Sequence, residues 1–158
     1  MRVFLPLLAF SALLAAPATA QTFGLRDGMT LGDFPGATQI DGLAGAYWVT
    51  VPNADKVFAS YQATISTELG LCTVMGRSAA LTPDQLQAEF SRLDAILSQR
   101  FGAPEDRSFG SDRELVYLEP GGTDSYAATL RTNVDLLSLS YQFGNNPAEC
   151  SAAAIEGR

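Results

Sequence analysis

Between Thr82 and Gly102 the apolar residues fall three and four apart, whereas on either side of that stretch they alternate. This single change of period constrains the fold more than any other feature of the chain. Leu86, Phe90, Leu93 and Leu97, with Ile96 beside them, make one apolar stripe on a helix. Thr82 is the expected N-cap, Pro83 takes the first helical position, and Gln85 completes a capping box. Asp84 and Glu89 toward the start, and Arg92 and Arg100 toward the end, suit the helix dipole. Gly102 and Pro104 stop the helix. One such helix cannot bury its stripe alone, so it must lie across a sheet.

The flanking segments read as that sheet. Tyr47–Val51 is aromatic and β-branched and is stopped by Pro52-Asn53. In Val57–Ser66, Tyr61, Ala63 and Ile65 share one face. Glu68-Leu69-Gly70 is a reversal into Leu71–Arg77, where Cys72, Val74 and Gly76 share a face. After the helix, Glu105–Ser111 reads as a polar loop, followed by strands at Arg113–Glu119 and Tyr126–Thr132. Leu137, Leu139, Tyr141 and Phe143 then alternate strictly with polar residues, the pattern of a half-buried strand. Ahead of all these, Thr30 and Asp33 frame a short helical turn closed by Pro35-Gly36. The expected fold class is α+β, an antiparallel sheet of about six strands with one long helix, about 83–101, packed on one face. Each half pairs a helical element with three strands, which leaves a faint internal duplication open.

The N-terminus is expected to be an export signal. Arg2 precedes the apolar run Val3–Ala16, and Pro17-Ala18-Thr19-Ala20 offers the small residues that signal peptidase accepts. Cleavage between Ala20 and Gln21 would leave residues 21–158 as a single α+β domain, with residues 1–20 as the signal peptide. The apolar run is short for a bilayer, which takes about 20 residues. The alternative, an N-terminal anchor, is disfavoured by the small-residue site and by polar Gln21-Thr22. No cysteine stands near the site to carry a lipid. The short, compact signal has a bacterial look, so the expected location is periplasmic or secreted, with no stable membrane insertion after cleavage.

That compartment bears on the two cysteines. Cys72 and Cys150 are the only ones in the chain, and an oxidising environment favours a structural disulfide between them. Two separate thiols or a redox pair are the alternatives, although redox pairs usually sit as C-x-x-C.

Composition excludes much chemistry. The chain contains no histidine, which removes histidine triads, Cys-His dyads and imidazole metal sites. Lys56 is the sole lysine, so a Ser-Lys dyad would have to use it. The formal net charge is −7, and −8 once Arg2 is removed with the signal. Such a chain should repel nucleic acid and anionic lipid. No P-loop, dinucleotide-binding glycine pattern, EF-hand loop or nucleophile elbow is present.

Three constellations remain. Glu105, Asp106, Asp112 and Glu114, with Asp124, could do acid–base work or hold a hard cation, but they read better as a solvated loop and strand edge. Ser108, Ser111 and Ser125 show no base to activate them. Tyr47, Trp48 and Tyr141 are the candidate ligand-facing aromatics, although aromatics in strands more often belong to the core. No cofactor or metal site is expected.

Two stretches carry a family resemblance. Gly28-Met29-Thr30-Leu31 resembles the "G-M-T" turn that opens small bacterial envelope domains of the SmpA/OmlA type. Leu97–Pro104, Leu-Ser-Gln-Arg-Phe-Gly-Ala-Pro, resembles the helix end "L-x-x-x-[YF]-G-x-P" that precedes aromatic strands in uncharacterised periplasmic α+β domains. The resemblance implies an envelope-associated α+β module and transfers no catalytic residue. The expected function is that of an exported, non-catalytic binding or accessory domain whose partner is an envelope or secreted protein. A carrier of a small apolar ligand is the alternative, and a carboxylate-dependent hydrolase a third. The sequence is silent on oligomeric state.

Overall fold

A computed structural model describes residues 22–119, 125–131, 135–143 and 150. Residues 1–21, and with them the predicted signal peptide, and residues 120–124, 132–134, 144–149 and 151–158 lie outside the described residues.

The strands are β1 (Thr38–Gln39), β2 (Ala46–Val49), β3 (Phe58–Ser66), β4 (Gly70–Ser78), β5 (Glu105–Asp106), β6 (Arg113–Leu118), β7 (Ser125–Arg131) and β8 (Leu136–Gln142), with α1 (Pro83–Phe101) between β4 and β5. They form one antiparallel sheet in the order β1-β2-β3-β4-β8-β7-β6-β5. Six of them have four residues or more, and β1 and β5 are two-residue edges. Such short edges leave little unpaired backbone for another chain to extend. The order shows two meanders, β2-β3-β4 and β6-β7-β8, joined where their last strands pair. Val74 lies opposite Tyr141 and Met75 opposite Ser140 at this seam.

α1 has the expected ends. Thr82 Oγ1 accepts from Gln85 N–H, and Gln85 Oε1 accepts from Thr82 N–H at 3.0 Å. Gly102 N–H caps Ser98 O. Leu86, Phe90, Leu93 and Leu97 are buried, each worth about 2 kcal/mol relative to exposure. The stripe packs across β6, β7 and β8. Ile96 does not join it and is 50% exposed. At 100° per residue it stands about 90° from the centre of the stripe, past its margin.

The first meander is covered on the same core by the N-terminal segment. Phe23, Leu25 and Phe34 are buried with Phe58, Tyr61 and Val74. Phe23, Phe58 and Tyr61 meet edge to face with ring centroids 5.0 to 6.1 Å apart. Two backbone bonds hold this segment: Asn53 N–H to Phe23 O, and Leu71 N–H to Met29 O at 2.7 Å. Gly70 permits the second. Its φ is +76°, and a Cβ there would stand 2.9 Å from Met29 O. The Thr30 turn is a 3₁₀ turn, Leu31–Asp33, in which Asp33 reaches back to Thr30 N–H at 2.8 Å.

Two differences from the sequence reading concern the sheet. Glu105–Ser111 is not wholly loop, because Glu105 and Asp106 pair with Val116 and Leu115 and a bridge joins Phe109 to Asp112. β3 and β4 carry two register shifts, which leave Ala59 and Cys72 without opposite partners. Bulges conserve the overall alternation of a strand while moving single residues, so periodicity does not reveal them.

Candidate functional site

Tyr47, Trp48 and Tyr141 do not line one groove. Tyr47 and Trp48 are consecutive in β2, so the pleat sends them to opposite faces. Tyr47 packs against the core, whereas Trp48 is 40% exposed on the other face. Tyr141 is 3% exposed within the core, its ring 4.3 Å from that of Phe143.

The acidic group after the helix forms a hairpin in which Glu105 and Asp106 have local partners, while Asp112 Oδ1 is buried without one. Glu105 pairs with Arg107 at 2.8 Å. Asp106 accepts from Ser108 N–H at 2.9 Å, and Ser108 Oγ accepts from Glu114 N–H. Glu105 is held below the ordinary carboxylate range by the hydrogen bond and charge of Arg107, and Asp106 by its hydrogen bonds from Ser108. A general acid needs the opposite shift. Among the described residues no group of three acids is placed to hold a metal ion, and Asp124 lies outside them.

Cys72 and Cys150 are bonded, with Cα atoms 5.8 Å apart. Cys72 is the unpaired residue of the β4 bulge, and the bond ties β4 to a helical residue of the tail. Phe143 N–H to Cys72 O, at 2.9 Å, extends the β4–β8 seam to the same point.

Two surface features remain. The face of the sheet opposite α1 carries Gln62, Thr64, Thr73, Ser138, Ser140 and Gln142, all half-buried. A shallow hollow of about 160 Å³ is set into it between Thr73, Met75, Ser125 and Ser140. Among the described side chains of β3, β4, β6 and β8, the charged groups on this face are Arg77, whose Nε lies 3.3 Å from Met75 Sδ, and Glu114.

The second feature is a cleft of about 430 Å³ between the first half of α1 and the ends of β3 and β4. Val57, Phe58 and Leu81 give it apolar walls, and Lys56, Gln85 and Glu89 stand on its lining. Beside it, Arg92 bonds Asp55 at 3.0 Å and also pairs with Glu89 one turn earlier. Asp55 further accepts from Val57 N–H, and its own N–H donates to Tyr61 Oη at 2.8 Å. The loop leading into β3 is thereby fixed to the helix. This cleft leaves no mark in the sequence because its walls come from three separated segments, and the one motif among them, the Thr82–Gln85 capping box, marks a helix start rather than a binding wall.

No family model, curated protein or solved structure matches the chain.

Proposed function

We propose that this chain is an exported, non-catalytic binding or accessory domain acting in the periplasm or outside the cell, with an envelope or secreted protein as its partner. The observation that carries the reading is the sparsely charged face around Ser140. In a chain with 17 acidic residues, β4 and β8 present hydroxyls, amides, one thioether and the single charge of Arg77 on this face, and no acid. Depletion of charge is the compositional mark of interface centres. The Cys72–Cys150 bond is consistent with an oxidising compartment, as the Ala20/Gln21 cleavage site requires.

The test is affinity capture from an extracytoplasmic extract of the source cell, using oxidised protein. The expected result is stoichiometric retention of one protein, lost when Ser140→Arg places a charge in the hollow. A monomer that retains nothing, or retention indifferent to Ser140→Arg, contradicts the reading.

A second reading, a carrier of a small apolar ligand, is favoured by the cleft beside Lys56, whose volume lies within the range of ligand pockets. The carboxylate-dependent hydrolase has less support, since two of the acids it would use, Glu105 and Asp106, have lowered rather than raised affinities for protons.

A further inference from the structure

The cleft between α1 and the ends of β3 and β4 has a chemical polarity of its own. Its apolar part is Val57, Phe58 and Leu81. The charges around it are Lys56, Glu89, Asp55 and Arg92, and three of the four are committed: Arg92 stands between Asp55 and Glu89 and satisfies both. Lys56 forms no ion pair among the described residues. Across the cleft, Gln85 spends its carbonyl oxygen on the helix cap, accepting from the N–H and hydroxyl of Thr82. Its amide N–H groups are therefore not used by the cap. The lining thus offers an ammonium and an amide donor beside apolar walls, and its one carboxylate, Glu89, shares the Arg92 guanidinium with Asp55.

We propose that this cleft binds a small monoanion with an apolar body, a carboxylate with an aliphatic or aromatic tail, its head held by Lys56 Nζ and Gln85 Nε2 and its tail against Val57, Phe58 and Leu81. This rests on the small-ligand reading and names the ligand class that reading leaves open. An ammonium ligand is disfavoured, because Lys56 repels it and Glu89 is already paired. A doubly charged anion finds only one free cation and must approach Glu89 and Asp55.

The experiment is an NMR titration of the oxidised protein with octanoate, 1-octanol and octylamine in turn, reading the backbone amides of 56–59 and 81–89. Octanoate is expected to shift these amides and to bind about tenfold more tightly than octanol, the gain typical of a hydrogen bond to a charged group. Lys56→Gln should bring octanoate down to the level of octanol, while Lys56→Arg keeps most of the difference. Lys56 is exposed, so neither variant threatens the fold. Equal binding of octanoate and octanol, or an unchanged Lys56→Gln, overturns the anion assignment while leaving an apolar-ligand carrier standing. No shift at these amides with any of the three probes overturns both.

Discussion

The ring of Phe58 lies over Gly76, and a Cβ built on that glycine would stand 2.8 Å from two of its ring atoms. Phe58 reaches this position because the register shift at Ala59 returns it to the core face after Ser60 has paired with Arg77. Phe58 is itself buried against Phe23 and Tyr61, so it has little room to yield. Gly76→Ala should therefore destabilise the protein by about 1–3 kcal/mol, as overpacking does. Urea unfolding measures this. Adding Phe58→Leu should recover part of the loss, so the two substitutions will be non-additive.

The helix stripe allows a paired comparison. Leu93 is buried and Ile96 is half exposed, although both are apolar and three residues apart. Leu93→Ala should cost about 3 kcal/mol. Ile96→Ala should stay within about 0.5 kcal/mol. Similar losses at the two positions would mean that α1 is rotated from the face described.

The contrast marks what periodicity can convey. The helix, its caps and the four inward residues were legible, because capping chemistry and a stripe of spacing three and four are local properties. So was the alternation of β8, whose buried residues Leu137, Leu139 and Tyr141 are those expected, with Phe143 following them inward. Three features were not. Phe23 and Leu25 enter the core in a segment held by backbone bonds from Asn53 N–H to Phe23 O and from Leu71 N–H to Met29 O, partners distant in sequence. The pairing of β4 with β8 is a matter of topology and leaves no local mark. Tyr47 and Trp48 were grouped by residue type, whereas their parity in the strand separates them.

Tyr117 gives a pH prediction. Its hydroxyl donates to Asp94 Oδ1 at 2.7 Å, and Ser98 Oγ donates to the same oxygen at 2.9 Å. Burial first, and then the hydrogen bond to Asp94, raise the phenol well above its ordinary value of 10.0. The folded state therefore holds this proton where the unfolded state has released it. Its contribution is complete below about pH 10 and is lost as pH rises beyond that. Tyr117→Phe should flatten the alkaline fall in melting temperature while lowering stability at neutral pH. An alkaline limb unchanged in Tyr117→Phe would assign that fall to other groups.

The disulfide should matter through the unfolded chain. It closes a separation of 78 residues, for which loop entropy sets an upper figure of about 4.5 kcal/mol. Replacing both Cys72 and Cys150 by Ala should lower the urea midpoint and slightly steepen the dependence on denaturant, since the unfolded chain becomes more open. Reductant should then have no further effect on the double variant.

Export is the central claim, and the core meets the predicted cleavage point closely: Phe23, buried against Phe58 and Tyr61, stands two residues beyond Gln21. An uncleaved signal would continue directly from this packed position. The most direct measurement is the intact mass, without reduction, of the protein recovered from its source cell by fraction. The account predicts a chain of residues 21–158 in the extracytoplasmic fraction, with Gln21 open or cyclised and Cys72 and Cys150 oxidised. A chain retaining residues 1–20, found in the cytoplasm with both thiols reduced, would contradict it.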